Sequence, residues 1–152
     1  MKKLTLVYLI ALSFTIIWTV GCTKKHAIDE ETFTKIMSEE IFSIQDTTEK
    51  NNSPFIIQSF TAENENFTVE FMITSNDQYA IQIYNQIKNN FESKKGTVSA
   101  QSSLSLKNRA SFRLNTGGIY YLVSRIDNTL IFVITESKNK ENVDDIIKKI
   151  GY

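Results

Sequence analysis

Between Lys3 and Lys24 the chain carries no charged side chain. Lys2 and Lys3 precede the apolar run Leu4 to Val20, Gly21 and Cys22 end it, and Lys24, Lys25 and His26 follow. A basic start, an apolar stretch and a small residue before a cut site make a secretory signal, which takes no part in the mature fold. The run is also at the short end of what spans a bilayer, so a retained transmembrane anchor is the other reading. Either way the same body of chain is left outside the membrane. Cys22 is the sole cysteine of 152 residues, so that body closes no disulfide within itself and relies on a hydrophobic core.

Thr19-Val20-Gly21-Cys22 resembles the lipobox of bacterial lipoproteins. In those proteins a diacylglyceryl group is joined to the cysteine thiol, and cleavage makes that cysteine the first mature residue. The thioether requires a thiol, and a small preceding residue lets the peptidase approach the bond. Thr19 departs from the leucine usual at its position. The resemblance implies a signal peptide over residues 1–21, a lipidated Cys22 with a spacer to residue 28, and a cell-membrane location facing away from the cytoplasm. Two or more acyl chains, such as palmitate, anchor stably where one is marginal.

Cleavage before Cys22 leaves 131 residues with 15 basic and 17 acidic side chains, a formal charge of about −2. That balance lacks the basic footprint of nucleic-acid binding and argues against electrostatic attachment to anionic headgroups. A chain of this length buries roughly two-thirds of its unfolded surface, enough for one domain over residues 29–152.

The periodicity runs helix, strands, helix, strands, helix. Asp29 is placed to cap a first helix over Glu30 to Glu40, with Ile28 and Phe33 as a hydrophobic staple. Phe42 and Ile44 alternate as a strand, and Asp46 to Pro54 reads as loop. Phe55 to Thr61 and Phe67 to Thr74 read as strands, the second with Phe67, Val69, Phe71 and Ile73 on one face. Ser75 and Gln78 have capping-box spacing ahead of Ala80, Ile83, Tyr84, Ile87 and Phe91, with Gly96 beyond the helix end. The period then becomes two. Val98 to Leu106, Ala110 to Leu114, Ile119 to Ser124 and Leu130 to Thr135 form a four-strand antiparallel meander, turning at Gly117-Gly118 and Asp127-Asn128. The strand from Ile119 is apolar on both faces, which marks it as central. Val143, Ile146, Ile147 and Ile150 make the stripe of a closing helix with Gly151 as its cap. The expectation is an α+β domain after an N-terminal signal helix. Its antiparallel sheet has about six or seven strands and two or three helices packed on one face.

Catalytic constellations are scarce. His26 is the only histidine and lies in the spacer, so neither a metal site nor a histidine-assisted nucleophile can be assembled, and no cofactor is expected. Glu39-Glu40 and Asp144-Asp145 are adjacent carboxylates, but helix ends place them toward solvent or a dipole. Gly117-Gly118 lacks the further glycines and lysine of a phosphate loop. Ser99, Ser102, Ser103 and Ser105 look like the wet face of a strand. Ser124 to Thr129 is the most specific stretch. Arg125 beside Asp127 and Asn128 either faces a ligand or holds its own hairpin, and Arg113, Tyr120 and Tyr121 add an aromatic and cationic surface beside it.

Gly118-Ile119-Tyr120-Tyr121-Leu122-Val123-Ser124-Arg125-Ile126-Asp127-Asn128-Thr129 is similar to a pattern of small lipoproteins from Gram-positive, clostridial-type bacteria. Thr32 to Met37 and Ile147 to Tyr152 fit the same resemblance. It implies an exported lipoprotein without an established activity, and so supplies no site residues. The expected function is a non-enzymatic domain, anchored through lipid on Cys22, that binds an extracytoplasmic protein or small ligand. The alternatives are an envelope enzyme using carboxylates or a Ser-Lys pair, and a carrier of an apolar solute between helices and sheet.

Overall fold

The computed structural model describes residues 24–51 and 53–152. The expected signal helix and Cys22 lie outside the described residues. The elements are α1 (Glu30–Glu39), β1 (Ser43–Asp46), β2 (Ile56–Glu63), β3 (Thr68–Thr74), α2 (Asp77–Glu92), β4 (Ser99–Ser105), β5 (Arg109–Thr116), β6 (Ile119–Ile126), β7 (Thr129–Glu136) and α3 (Lys140–Ile150). One 3₁₀ turn, Thr48–Asn51, interrupts the long loop, and another, Ser137–Asn139, leads into α3. The strands form one seven-stranded sheet in the order β1-β2-β3-β7-β6-β5-β4. Every neighbouring pair is antiparallel. The fold is α+β, with the expected C-terminal meander.

Helices cover both faces of this sheet, not one. Phe33 and Met37 of α1 and Val143, Ile146, Ile147 and Ile150 of α3 pack on Phe60, Val69, Phe71, Leu122, Ile131 and Val133. Ala80, Tyr84 and Phe91 of α2 pack on Met72, Phe112, Leu114, Val123 and Leu130 from the other side. The reason is in the strands. Residues 120–126 of β6 are buried on both faces except for the partly exposed Tyr121, and a doubly apolar strand needs two covers, whatever the habit of antiparallel sheets. The α2 connection supplies the second by crossing from β3 to the far edge at β4.

Local chemistry explains the helix limits. The Asp29 carboxylate accepts the Thr32 N–H at 2.9 Å, as a cap should. For α2 the cap is Asn76, whose side chain accepts from Tyr79 N–H at 3.1 Å, one residue later than the Ser75 expected from the capping-box spacing. Thr74 hydroxyl donates to the Asn76 carbonyl at 2.8 Å, which helps set that later start. Gly96 is not a left-handed cap; its N–H donates to Thr116 Oγ1 at 3.0 Å. Gly151, at φ +97°, does cap α3. Its N–H reaches the Lys148 carbonyl and that of Tyr152 reaches Ile147. The same pair of bonds closes α1, from Ile41 to Ser38 and from Phe42 to Met37. There the left-handed residue is Ile41, φ +63°, a β-branched side chain where glycine is usual.

The spacer is not a free tether. Asn108 Nδ2 donates to the Lys25 carbonyl at 2.8 Å, and Ala27 and Ile28 pack against the α1/α3 core. The chain from Lys24 to Asp29 therefore lies along the domain. Among the described residues no helix is long and apolar enough to cross a membrane.

Candidate functional site

Six strand spacings of ~4.8 Å make the sheet about 29 Å wide, and two helices of ~10 Å diameter cover about 20 Å of it. The α1/α3 layer therefore runs out before the β5–β4 edge. On that face the alternation of β5 brings up Arg109, Ser111 and Arg113, with Ser111 opposite Ser124 of β6 and Leu104 of β4. The uncovered corner is a concave site of about 210 Å³, lined by Lys25, Leu104, Arg109, Ser111, Arg113, Ser124, Ile126 and Tyr152. Three strands provide its floor, the segment at Lys25 one wall and Tyr152, just past the Gly151 cap of α3, the other.

Three cations share this corner, and they are not equally compensated. Arg113 Nε donates to Asp144 Oδ1 at 3.2 Å, and its Nη1 donates to Ser111 Oγ at 2.5 Å. Among the described residues Lys25 and Arg109 have no ion-pair partner. Burial, and then the like charges of Arg109 and Arg113, hold the Lys25 ammonium below its ordinary pKa. Beside the pocket, Asp144 accepts from Tyr120 Oη at 2.6 Å and from Lys140 Nζ at 3.0 Å as well as from Arg113. Burial works to raise the Asp144 pKa, but these donors together outweigh it and keep the carboxyl below the usual range. Burial first, then the hydrogen bond and charge of Asp144, push the Tyr120 phenol well above its ordinary value. Tyr120 is thus a neutral donor that orients a carboxylate, which in turn fixes Arg113 at the pocket rim.

The five residues expected to form one surface divide between the two faces. Arg113 and Tyr120 lie on the α1/α3 side, joined through Asp144. Tyr121 points the other way, its ring 5.1 Å from that of Phe91 in α2. Arg125, 4 % exposed, is on the α2 side too. It donates to the backbone carbonyls of Asp127 at 3.0 Å and Asn108 at 3.5 Å, tying together the β6–β7 and β4–β5 turns. Of the two readings of Arg125, the hairpin-holding one describes its bonds, though the partner is the Asp127 carbonyl and not its carboxylate. The Asp127 side chain lines a separate depression with Lys24, Asp77 and Lys107.

Lys25, Arg109 and Ser111 were not singled out from the sequence, and Ser124 stood only as the first residue of the Ser124 to Thr129 stretch. Arg109, Ser111 and Arg113 at alternate positions of one strand were the available signal. Asp144 was expected toward solvent or a helix dipole; instead it faces the sheet through three donors. Its neighbour Asp145 lines a different depression, with Glu40 and Lys149.

The molecule is a three-layer α+β domain with an uncovered cationic corner. In comparisons with known proteins, no family model and no curated protein matches the chain. Among solved structures it is similar to a GTP-binding regulator from Thermotoga maritima. The TM-score is 0.50 and the identity 17 %, over 84 % of this chain and 91 % of that one. The likeness is one of fold.

Proposed function

We propose that the chain is an exported bacterial lipoprotein, held at the membrane by a diacylglyceryl thioether on Cys22. Its single domain acts as a non-enzymatic binding module for an anionic group. The observation that carries the binding role is the concave corner holding Lys25 and Arg109 without carboxylate partners among the described residues. Uncompensated cations gathered in a concavity repel one another and lose hydration, so they weaken the fold unless an anion joins them. The volume is below the ~300–1,000 Å³ of drug-sized ligand sites, so the corner itself takes one small anionic group. The anchor reading rests on the signal-like leader and the single cysteine at its end.

The anchor is tested by growing an expressing bacterium in labelled palmitate. Label is expected on the wild-type chain and none on Cys22→Ser; equal label on both, or none on either, refutes it. The binding role is tested by thermal unfolding of the purified chain with inorganic phosphate or acetate at constant ionic strength. A rise in Tm that Arg109→Gln removes supports it, and an unchanged Tm with every anion refutes it.

A further inference from the structure

The pocket lies next to the point where the chain meets its anchor, and this identifies what reaches it. Lys25 is three residues from Cys22, a span of at most about 11 Å when fully extended. The polar layer of one leaflet is about 5–8 Å deep, being half the difference between a ~40–45 Å bilayer and its ~30 Å core. A lipidated cysteine at the interface therefore keeps this corner within about 11 Å of the headgroup layer, close enough for the two to meet. The β4–β5 turn is beside it, fixed to the spacer by the Asn108–Lys25 bond. The end of β4 and this turn present Leu104 and Leu106, 45 % and 41 % exposed, on the pocket side of the sheet.

Charge at this end is segregated despite the balanced total. Lys24 and Lys107 share their depression with Asp77 and Asp127, two cations against two acids. Arg113 is matched by Asp144. Lys25 and Arg109 are the surplus, and they are in the pocket. The formal charge of −2, which argues against headgroup attachment as a total, is carried elsewhere on the domain.

We propose that this corner is a headgroup site: Lys25, Arg109 and Arg113 take the phosphate of an anionic phospholipid from the membrane in which the protein is anchored, while Leu104 and Leu106 enter the interface beside it. The volume of about 210 Å³ admits a phosphodiester and its immediate substituent and leaves the acyl chains in the bilayer. The proposal rests on the lipid anchor. Contact of this kind stands the tethered domain edge-on to the membrane, with the β1 edge away from it and the α2 and α1/α3 layers to either side.

The test uses the full lipidated chain carrying Ser102→Cys, on the pocket face of β4 opposite Arg113, reacted with a polarity-sensitive fluorophore and reconstituted into vesicles. One set is phosphatidylcholine alone, and the other contains a third phosphatidylglycerol. A blue shift is expected only with phosphatidylglycerol. Lys25→Gln with Arg109→Gln should reduce the docked-to-free ratio about 30-fold, at ~1 kcal/mol per basic residue beside an anionic surface. Far-UV circular dichroism must show that the double variant keeps its fold; if it does not, Arg109→Gln alone is used, with about a fivefold loss expected. Equal emission in both vesicle types, or a blue shift that the variants retain, overturns the proposal. A Tm rise with inorganic phosphate but no phosphatidylglycerol dependence assigns the pocket to a free anion and also overturns it, leaving the binding module intact. Two fluorophores per chain would show Cys22 unacylated and refute the anchor, and the headgroup site with it.

Discussion

Replacing Tyr120 by phenylalanine removes one oxygen from a fully covered position and takes away one of three donors to Asp144. Tyr120 is 1 % exposed and its hydroxyl lies 2.6 Å from Asp144 Oδ1. A hydrogen bond to a charged acceptor contributes about 1.5–3 kcal/mol. The Asp144 side chain is 30 % exposed and keeps Arg113 and Lys140, so the lower end applies. Urea unfolding at pH 7 should therefore show Tyr120→Phe less stable by about 1.5–2 kcal/mol. The effect should depend on pH with a definite sign. Asp144 has a folded pKa below its unfolded one. Its contribution is fully present above the unfolded value of about 3.9 and is lost as pH falls through the folded value. A double-mutant cycle of Tyr120→Phe with Asp144→Asn separates this pair from other acid-sensitive contacts. The coupling should be near 1.5 kcal/mol or more at pH 7 and fall toward that of a neutral pair, about 0.5–1 kcal/mol, as the pH drops through the lowered folded-state pKa of Asp144. Coupling close to zero at pH 7 would refute the view that a phenol-oriented carboxylate organises this rim.

Two further outcomes follow from the core and from a helix end. Phe33 is fully buried and stacked on Phe71 at a centroid distance of 4.5 Å, so Phe33→Ala should cost about 3–5 kcal/mol in denaturant unfolding. A cost below about 1 kcal/mol would mean that α1 is not seated on the sheet as described. Ile41→Gly should stabilise the domain, because relief of about 1–2 kcal/mol of left-handed strain exceeds glycine's extra unfolded-state entropy of about 0.5–1 kcal/mol. Ile41 is 87 % exposed, so little packing is lost, and a lower Tm in the variant would contradict the strain.

Periodicity made most of the fold legible, and its failures have physical causes. The stripe Val143, Ile146, Ile147, Ile150 located α3, and the alternation from Val69 to Ile73 located β3 and its inward face. Two-sided burial of β6 was readable from Ile119 to Ser124, yet the helices were placed on one face, because nothing local says which side a crossover takes. Ile41 ends α1 in a geometry reserved by habit for glycine, so propensity could not mark it, whereas Gly151 announced the same closure for α3. The site was less legible. Arg125 drew attention through its turn neighbours and proved to bond backbone carbonyls within the domain. The pocket depends on Lys25, Arg109 and Arg113 meeting across a spacer and one strand, with Asp144 from a helix 31 residues beyond Arg113. No spacing rule connects them. What decides their meeting is the place where the α1/α3 layer stops, which is a property of the assembled sheet.

The seam between β3 and β7 has a consequence for how the chain assembles. Val69 pairs with Val133 there, while pairings within β1–β3 and within β4–β7 join segments adjacent in sequence. Each block can zip locally, but uniting them pairs residues 56 to 64 apart in sequence across the connection from residue 75 to residue 98, an entropic toll that comes before any contact repays it. The two halves should thus form early and meet late, and valine-to-alanine changes at the seam should slow refolding less than they speed unfolding. Until the halves meet, β3 has an open edge, and the newly made chain is most prone to pair with the wrong neighbour during that interval.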